Sequence, residues 1–439
     1  MNRPMLLIAF CAWSFVPARG QNSAIMDTIG LTALWAHDPT LTGLGVTAAQ
    51  VEFAGPGAGQ FEADPGSPGQ PVALFAYYSA AGASGAFPNS VGSESGHADM
   101  VAENFYGENT GVVPGLEQVE NFEMIFFYTL VIQTHKPLPA QVFNQSFEFG
   151  NHNATQDQAY DDYIALCHTV VVSGIGNGGP VLTPSDCYNG LGVAAYGGSS
   201  STGPTADGRC KPDITAPADV TSFSTPLVSG AAAILIQGGN RTGSDTAAKV
   251  DSRTVKALLL NGAVKPSGWT HTPTAPLDPH YGAGVLNIFN SYSELAAGSH
   301  APSATGLSHS RRHPPLARGS AFPMPQGWDY RSIQSASTAQ GVNHYRIITS
   351  GTGALISTLV WNKGYNRKAI NRLALFAYDA NGTRLASSTS LVDNVQHVYI
   401  TGLGPGTYEL EVVKAGGSPG TPGVVSPRET YALVWDFGR

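Results

Sequence analysis

The chain has 439 residues, enough for about two or three domains, and it is 42% hydrophobic with only 12% charged residues. That balance excludes an intrinsically disordered chain, and 52 glycines with 30 prolines point to many turns. A net charge of −8 excludes a general nucleic-acid binder, which would carry a basic face.

Residues 1–20 read as a secretory signal. Arg3 supplies a basic start, and "MLLIAFCAWSFV" is an apolar core too short to span a bilayer. Ala18 and Gly20 are the small residues expected before a cut, so the mature chain is expected to begin at Gln21. The expected location is therefore extracellular or periplasmic, with no membrane span. Of the four cysteines, Cys11 leaves with the signal, and an oxidising compartment then permits one disulfide. Cys187 and Cys210 each precede an apolar strand segment and are the expected pair. Cys167 lies on the apolar face of a helix and reads as a free thiol. No cysteine and histidine group has zinc-ligand spacing, so no metal ligands are assigned.

From residue 40 to 300, strand-like runs alternate with helical ones. "GVTAAQVEF" (45–53), "TVVVSGIGN" (169–177) and "LGVAAYGG" (191–198) are short apolar strands. "QDQAYDDYIALCHTV" (156–170) has helical spacing through Tyr160, Tyr163, Ile164 and Cys167. "VTSFSTPLVSGAAAILIQ" (220–237) predicts a buried helix that Thr225 and Pro226 open, because proline is tolerated in a first helical turn. "DSRTVKALLLNGA" (251–263) is a helix with Ser252 as its expected cap. This alternation predicts an α/β domain with a mostly parallel sheet, whose ligands sit beyond the carboxyl ends of the strands. Residues 301–325 are polar and proline-rich and predict a linker. Beyond them, short alternating strands over 326–439, with a hairpin signal at Asn381-Gly382, predict an all-β antiparallel sandwich.

Four segments carry chemistry. "GVTAAQVE" ends a strand in Glu52, "HADMVAE" opens a helical turn at His97, "GIGN" ends a buried strand in Asn177, and "TSFSTP" carries Ser222. Taken singly, each has an ordinary explanation: a solvated acid, a surface histidine, a turn asparagine between glycines, a helix cap. Together, an acid, a base, an amide donor and a hydroxyl at the ends of α/β elements are the parts of an acyl-transfer site.

At these residues the chain resembles the subtilisin-like serine protease family. "HADMVAE" stands where the family has HGTHVAG, "GIGN" where it has AAGN, and "VTSFSTPLVSGAAA" where it has GTSMATPHVAGAAA. "GPTADGRCKPDITAP" (203–217) and "YGAGVLNIFNS" (281–291) are further family marks. The resemblance covers about residues 35–297, and it implies a three-layer domain over 21–300 with an accessory β-sandwich behind it. It implies that Ser222 is the nucleophile, His97 the base, Glu52 the orienting acid and Asn177 the oxyanion donor. "VFNQSFEFGN" (142–151) resembles the strand that pairs with bound peptide, around Ser146, Phe147 and Glu148. No cofactor is needed for that chemistry. Relatives often bind calcium, but no acidic loop here is specific enough to name ligands. The implied partners are protein or peptide substrates, acted on by a monomer.

The chain departs from the family at several points: Ala98, Asp99 and Met100 replace the Gly, Thr and His after the histidine, and Val220 replaces the glycine before Thr-Ser. Glu52 stands where most members have Asp, with Asp64 and Glu94 as rival acids. Only Ala218, Asp219, Val220 and Thr221 separate Pro217 from Ser222, where the family inserts a hairpin beside the leaving-group side of the cleft. The acid motif also follows soon after the signal, which leaves no room for a long chaperone propeptide. Two functions therefore stay open from sequence: a secreted serine endopeptidase, or a non-catalytic relative that binds peptides or surfaces in the same groove.

Overall fold

The apolar runs of the first domain assemble into one eight-stranded sheet. The computed structural model describes residues 23–55, 59–241, 243–308 and 324–438. The expected signal segment, with Cys11, lies outside the described residues. In chain order the strands are β1 (Thr47–Glu52), β2 (Phe75–Ser79), β3 (Gly82–Ser84), β4 (Gln118–Glu123), β5 (Val142–Gln145), β6 (Val170–Gly174), β7 (Leu191–Tyr196) and β8 (Ile214–Pro217). Their order across the sheet is β8-β7-β6-β5-β1-β4-β2-β3, parallel throughout except for the β2–β3 edge hairpin.

The sheet is buried on both faces, which is why its strands read as continuous apolar runs. Side chains alternate between two cores with the strand's period of two. Along β6, Val170 and Val172 join one core and Val171 the other. The first core is covered by helices α1 (Gly96–Tyr106) and α3 (Thr221–Arg241), and the second by α2 (Ala154–Cys167) and the helical segment 124–132. The first domain is thus a three-layer α/β domain.

Helix α3 begins at Thr221, earlier than expected, and Pro226 lies inside it. Proline there removes the N–H that would bond the carbonyl four residues back, that of Ser222. The Ser146 hydroxyl supplies the missing bond, donating to the Ser222 carbonyl at 2.9 Å. A tertiary partner, invisible to local propensity, lets the helix run through its proline. Helix α4 (Ser252–Gly262) is capped by Asp251 and not by Ser252, since the Asp251 carboxylate accepts from the Arg253 N–H at 3.0 Å. Burial alone would raise the Asp251 pKa, but hydrogen bonds from Arg253 and His168 hold it well below the ordinary carboxylate range.

The second domain is an antiparallel sandwich. Its strands are β9 (Ala304–Ser308), β10 (Gln326–Gln334), β11 (Gln340–Thr349), β12 (Gly353–Trp361), β13 (Leu373–Asp379), β14 (Arg384–Ser388), β15 (Val395–Leu403), β16 (Gly406–Lys414) and β17 (Arg428–Phe437). One sheet runs β9-β11-β16-β13-β14 and the other β10-β17-β12-β15. Strand β9 corrects the expected linker: residues 304–308 pair with 340–344 at the sheet edge, where a short polar strand needs only one neighbour. Residues 309–323 of that linker lie outside the described residues.

The sandwich does not hang free. Trp328, Val360, Val395, Ala432 and Val434 belong to the same apolar cluster as Val255 and Leu258 of α4, every residue of which is buried. Lys256 of α4 pairs with Asp213 at 3.0 Å and donates to the Gly190 carbonyl at 2.7 Å, tying the helix to the start of β8. Asn189 and Lys363 exchange hydrogen bonds across the domain boundary at 2.7 and 2.9 Å.

The expected Cys187–Cys210 disulfide does not form; Cys167, Cys187 and Cys210 are all free. Although β7 and β8 are neighbours, Cys187 is buried in the α2-side core and Cys210 packs against the other. Burial pushes both thiols up to about 12, so both are inert as nucleophiles.

Trp328 is 1% exposed and its ring N–H donates to the Leu295 carbonyl at 3.1 Å. Trp328→Ala is expected to cost about 3–5 kcal/mol. Because both domains share that core, calorimetry should show one unfolding transition shifted downward. Two separated transitions, with only one shifted, would contradict a shared core.

Candidate active site

Glu52 ends β1 at the centre of the sheet and is 1% exposed. A carboxylate so buried needs its oxygens hydrogen-bonded. Oε2 lies 2.8 Å from His97 Nδ1, and Oε1 accepts from the Gln50 side-chain amide at 2.9 Å. Gln50 is two residues back on the same face of β1. Its amide nitrogen also donates to the Ala98 carbonyl at 2.9 Å, and its carbonyl oxygen accepts from the Tyr106 hydroxyl. Gln50 thereby ties the acid to α1, the helix that carries His97 in its first turn. Sequence reasoning passed over Gln50; the available signal was a polar residue at i−2 in an otherwise apolar strand.

His97 is half-buried. Burial opposes its charge, but the hydrogen bond and negative charge of Glu52 outweigh that, and its pKa is raised above the ordinary histidine value. Its ring centroid lies 6.1 Å from that of Phe223, which places it beside the first turn of α3. Asp64 and Glu94 do not take the place of Glu52. Asp64 closes a turn by accepting from the Gly66 N–H at 2.9 Å, and Glu94 lies on an exposed edge where its charge raises the Asp99 carboxyl.

Ser222 is the second residue of α3 and half-buried. Its hydroxyl donates to the Ser146 carbonyl across a long 3.5 Å contact. A rotamer change would free the hydroxyl from this contact. Asn177 is exposed in the loop after β6. Its side-chain carbonyl accepts from the Thr221 N–H at 2.8 Å and from the Thr221 hydroxyl at 2.9 Å. With that end held, the –NH2 end is the one free to donate. Gly176 before it has φ +99°, and a Cβ there would stand 2.5 Å from Glu148 Oε2. The positive φ is what favours glycine here, since the exposed Glu148 carboxylate could move aside.

Ser146, Phe147 and Glu148 run on beyond the end of β5, past its pairing with β1 and β6. Ser146 is buried against α3. Phe147 packs edge-on to Phe149 with ring centroids 5.6 Å apart, and Glu148 is exposed. On the far side, residues 218–220 connect β8 directly to α3, and Val220 bridges to Ser199. No hairpin flanks that side of Ser222.

The subtilase family model matches residues 115–284. That span holds Ser146, Phe147, Glu148, Asn177 and Ser222, while Glu52 and His97 precede it. Over that span the resemblance read from the motifs is borne out. Among solved structures, MycP1 with its N-terminal propeptide removed is 18% identical, with a TM-score of 0.40 over 61% of this chain and 96% of that one. A protease from Pseudoalteromonas arctica is 16% identical, with a TM-score of 0.40 over 61% and 94%. Tripeptidyl peptidase 2 is 14% identical with a TM-score of 0.37; the match covers 79% of this chain but only 40% of that longer protein. No curated protein matches the sequence.

The Glu52 contact makes a prediction that needs no substrate. By NMR titration the His97 ring should have a pKa above that of an unstructured histidine, about 6.5. In Glu52→Gln, where burial is left as the main influence, the midpoint should fall below it. An unmoved midpoint would remove Glu52 from His97's environment. By the same linkage, charging His97 stabilises the fold below the unfolded pKa, and that stability is lost as pH rises through the folded value.

Proposed function

We propose, from the match of residues 115–284 to the subtilase family model, that the protein is a secreted serine endopeptidase acting on protein or peptide substrates as a monomer. The observation that supports the proposal is the Asn177 side chain, whose carbonyl accepts from Thr221, the neighbour of Ser222, which leaves its –NH2 as the end able to donate.

Ser222 Oγ attacks the peptide carbonyl carbon while His97 Nε2 takes its proton. Glu52 accepts from His97 Nδ1–H, which fixes the tautomer that leaves Nε2 able to accept, and it stabilises the imidazolium that forms. The oxyanion receives hydrogen bonds from the Asn177 amide and from the Ser222 backbone N–H, which lies in the first turn of α3 and is unused within the helix. His97 then gives the proton to the departing amine, leaving an acyl-enzyme on Ser222. Water, deprotonated by His97, attacks that ester and releases the second product. Residues 146–148 would align the substrate by adding it as a strand. Among the described residues no helix is long and apolar enough to cross a membrane.

The short 218–220 connection favours a second function, peptide binding without turnover. A fluorophosphonate probe separates the two. It should label Ser222, and Ser222→Ala should abolish the label; failure to label folded protein would favour binding alone. Asn177→Ala should lower kcat by about 10²–10³, as loss of one such donor does in subtilisin, with KM little changed. Equal losses in kcat and peptide affinity would make Asn177 structural.

A further inference from the structure

Away from the candidate active site, three metal-ligating side chains from two segments converge at the start of α2. His152 lies just before the helix, Asp157 in its first turn, and Asp186 in the loop leading to β7. His152 Nδ1 is 2.5 Å from Asp186 Oδ2 and 3.6 Å from Asp157 Oδ2, and one ligand atom from each residue lies within 4.8 Å of the others. Asp186 is fully buried and Asp157 is 6% exposed. Neither oxygen of Asp157 has a hydrogen-bond partner. A buried carboxylate without donors, facing a second buried carboxylate, is unfavourable as a pair of anions, so it either takes up a proton or is balanced by a bound cation.

We propose that His152, Asp157 and Asp186 form a divalent-cation site of the zinc class, which staples the segment after Ser146–Glu148 to the loop 181–186. One imidazole nitrogen with two carboxylate oxygens suits Zn²⁺, whereas Ca²⁺ takes six to eight oxygens. Zinc bonds of about 2.0–2.2 Å in tetrahedral geometry set ligand atoms about 3.3 Å apart. The 2.5 and 3.6 Å separations bracket that value, and the His152 side chain, 39% exposed, can shift to meet it. That exposed side also leaves a fourth position for water. The two segments are already joined by main chain: the Phe149 N–H donates to the Thr183 carbonyl at 2.8 Å, and the Thr183 N–H to the Asn151 carbonyl at 3.4 Å. Thr183 Oγ1 donates to Asp186 Oδ1 at 3.4 Å, and the Asp186 carbonyl accepts from the Arg209 guanidinium. The cation would complete a rim that local hydrogen bonds have begun.

The test uses the full chain stripped with chelator, then titrated with Zn²⁺ by calorimetry, with bound zinc counted by elemental analysis. Relative to wild type, both His152→Ala and Asp157→Asn should lose one zinc equivalent or bind it at least tenfold more weakly, while zinc held elsewhere is unchanged. Zn²⁺ should raise the wild-type melting temperature and raise it less in Asp157→Asn, whose near-isosteric side chain keeps the fold. Ca²⁺ at the same concentration should not reproduce the difference between wild type and variant. Wild type that binds no zinc, or variants that keep wild-type stoichiometry and affinity, would overturn the assignment. None of these readouts depends on peptidase activity, so the cation site and the proposed function can fail separately.

Discussion

The first turn of α3 is where the parts of the candidate site meet, and there the Asn177 side chain accepts two hydrogen bonds from Thr221. They join the loop after β6 to the first turn of the helix. Ser146 adds a third bond through the Ser222 carbonyl, the one Pro226 leaves unpaired, and so joins the end of β5 to the same turn. Two strand ends and one helix start are thus held together, with Ser222 between them. A proline that would normally interrupt a helix instead frees an acceptor that anchors the cleft segment.

Glu52 and His97 are positioned from the opposite side by the same kind of constraint. A carboxylate at the centre of a sheet buried on both faces has no water to bond, so its oxygens require protein donors. His97 meets one and Gln50 the other. Gln50 holds the Glu52 carboxylate from behind and itself spans β1 and α1 through Ala98 and Tyr106. The acid is therefore braced on two elements, which limits its freedom to swing away from the imidazole.

The sandwich bears on the first domain through α4. That helix has no solvent face: one side meets the sheet and the other meets the strands carrying Trp328, Val360, Ala432 and Val434. Lys256 is buried with it and is compensated by Asp213 and by backbone carbonyls near β7. Burying a lysine is costly unless it is so paired. The two domains consequently share one core, and this surface of the first domain could not stand bare in water.

Periodicity alone determined much of the framework. The apolar runs at 45–53, 169–177 and 191–198 became β1, β6 and β7, because strands buried on both faces must be apolar along their length. The helix at 156–167, the Asn381-Gly382 turn and the antiparallel sandwich were legible for similarly local reasons, and the motif order pointed to the segment that the subtilase family model matches. Tertiary structure decided the rest. That α3 runs through Pro226 depended on a hydroxyl 76 positions away in sequence. The cap of α4 went to Asp251 because Arg253 and His168 reached it. The Cys187 and Cys210 thiols parted because neighbouring strand starts send chain to opposite faces of one sheet. That Glu52, and neither Asp64 nor Glu94, reaches His97 was settled by the position of α1 over the end of β1. Hydrophobic pattern reports which residues leave water. Which polar groups meet depends on the directions in which packed elements aim them, and no short stretch of sequence contains that information.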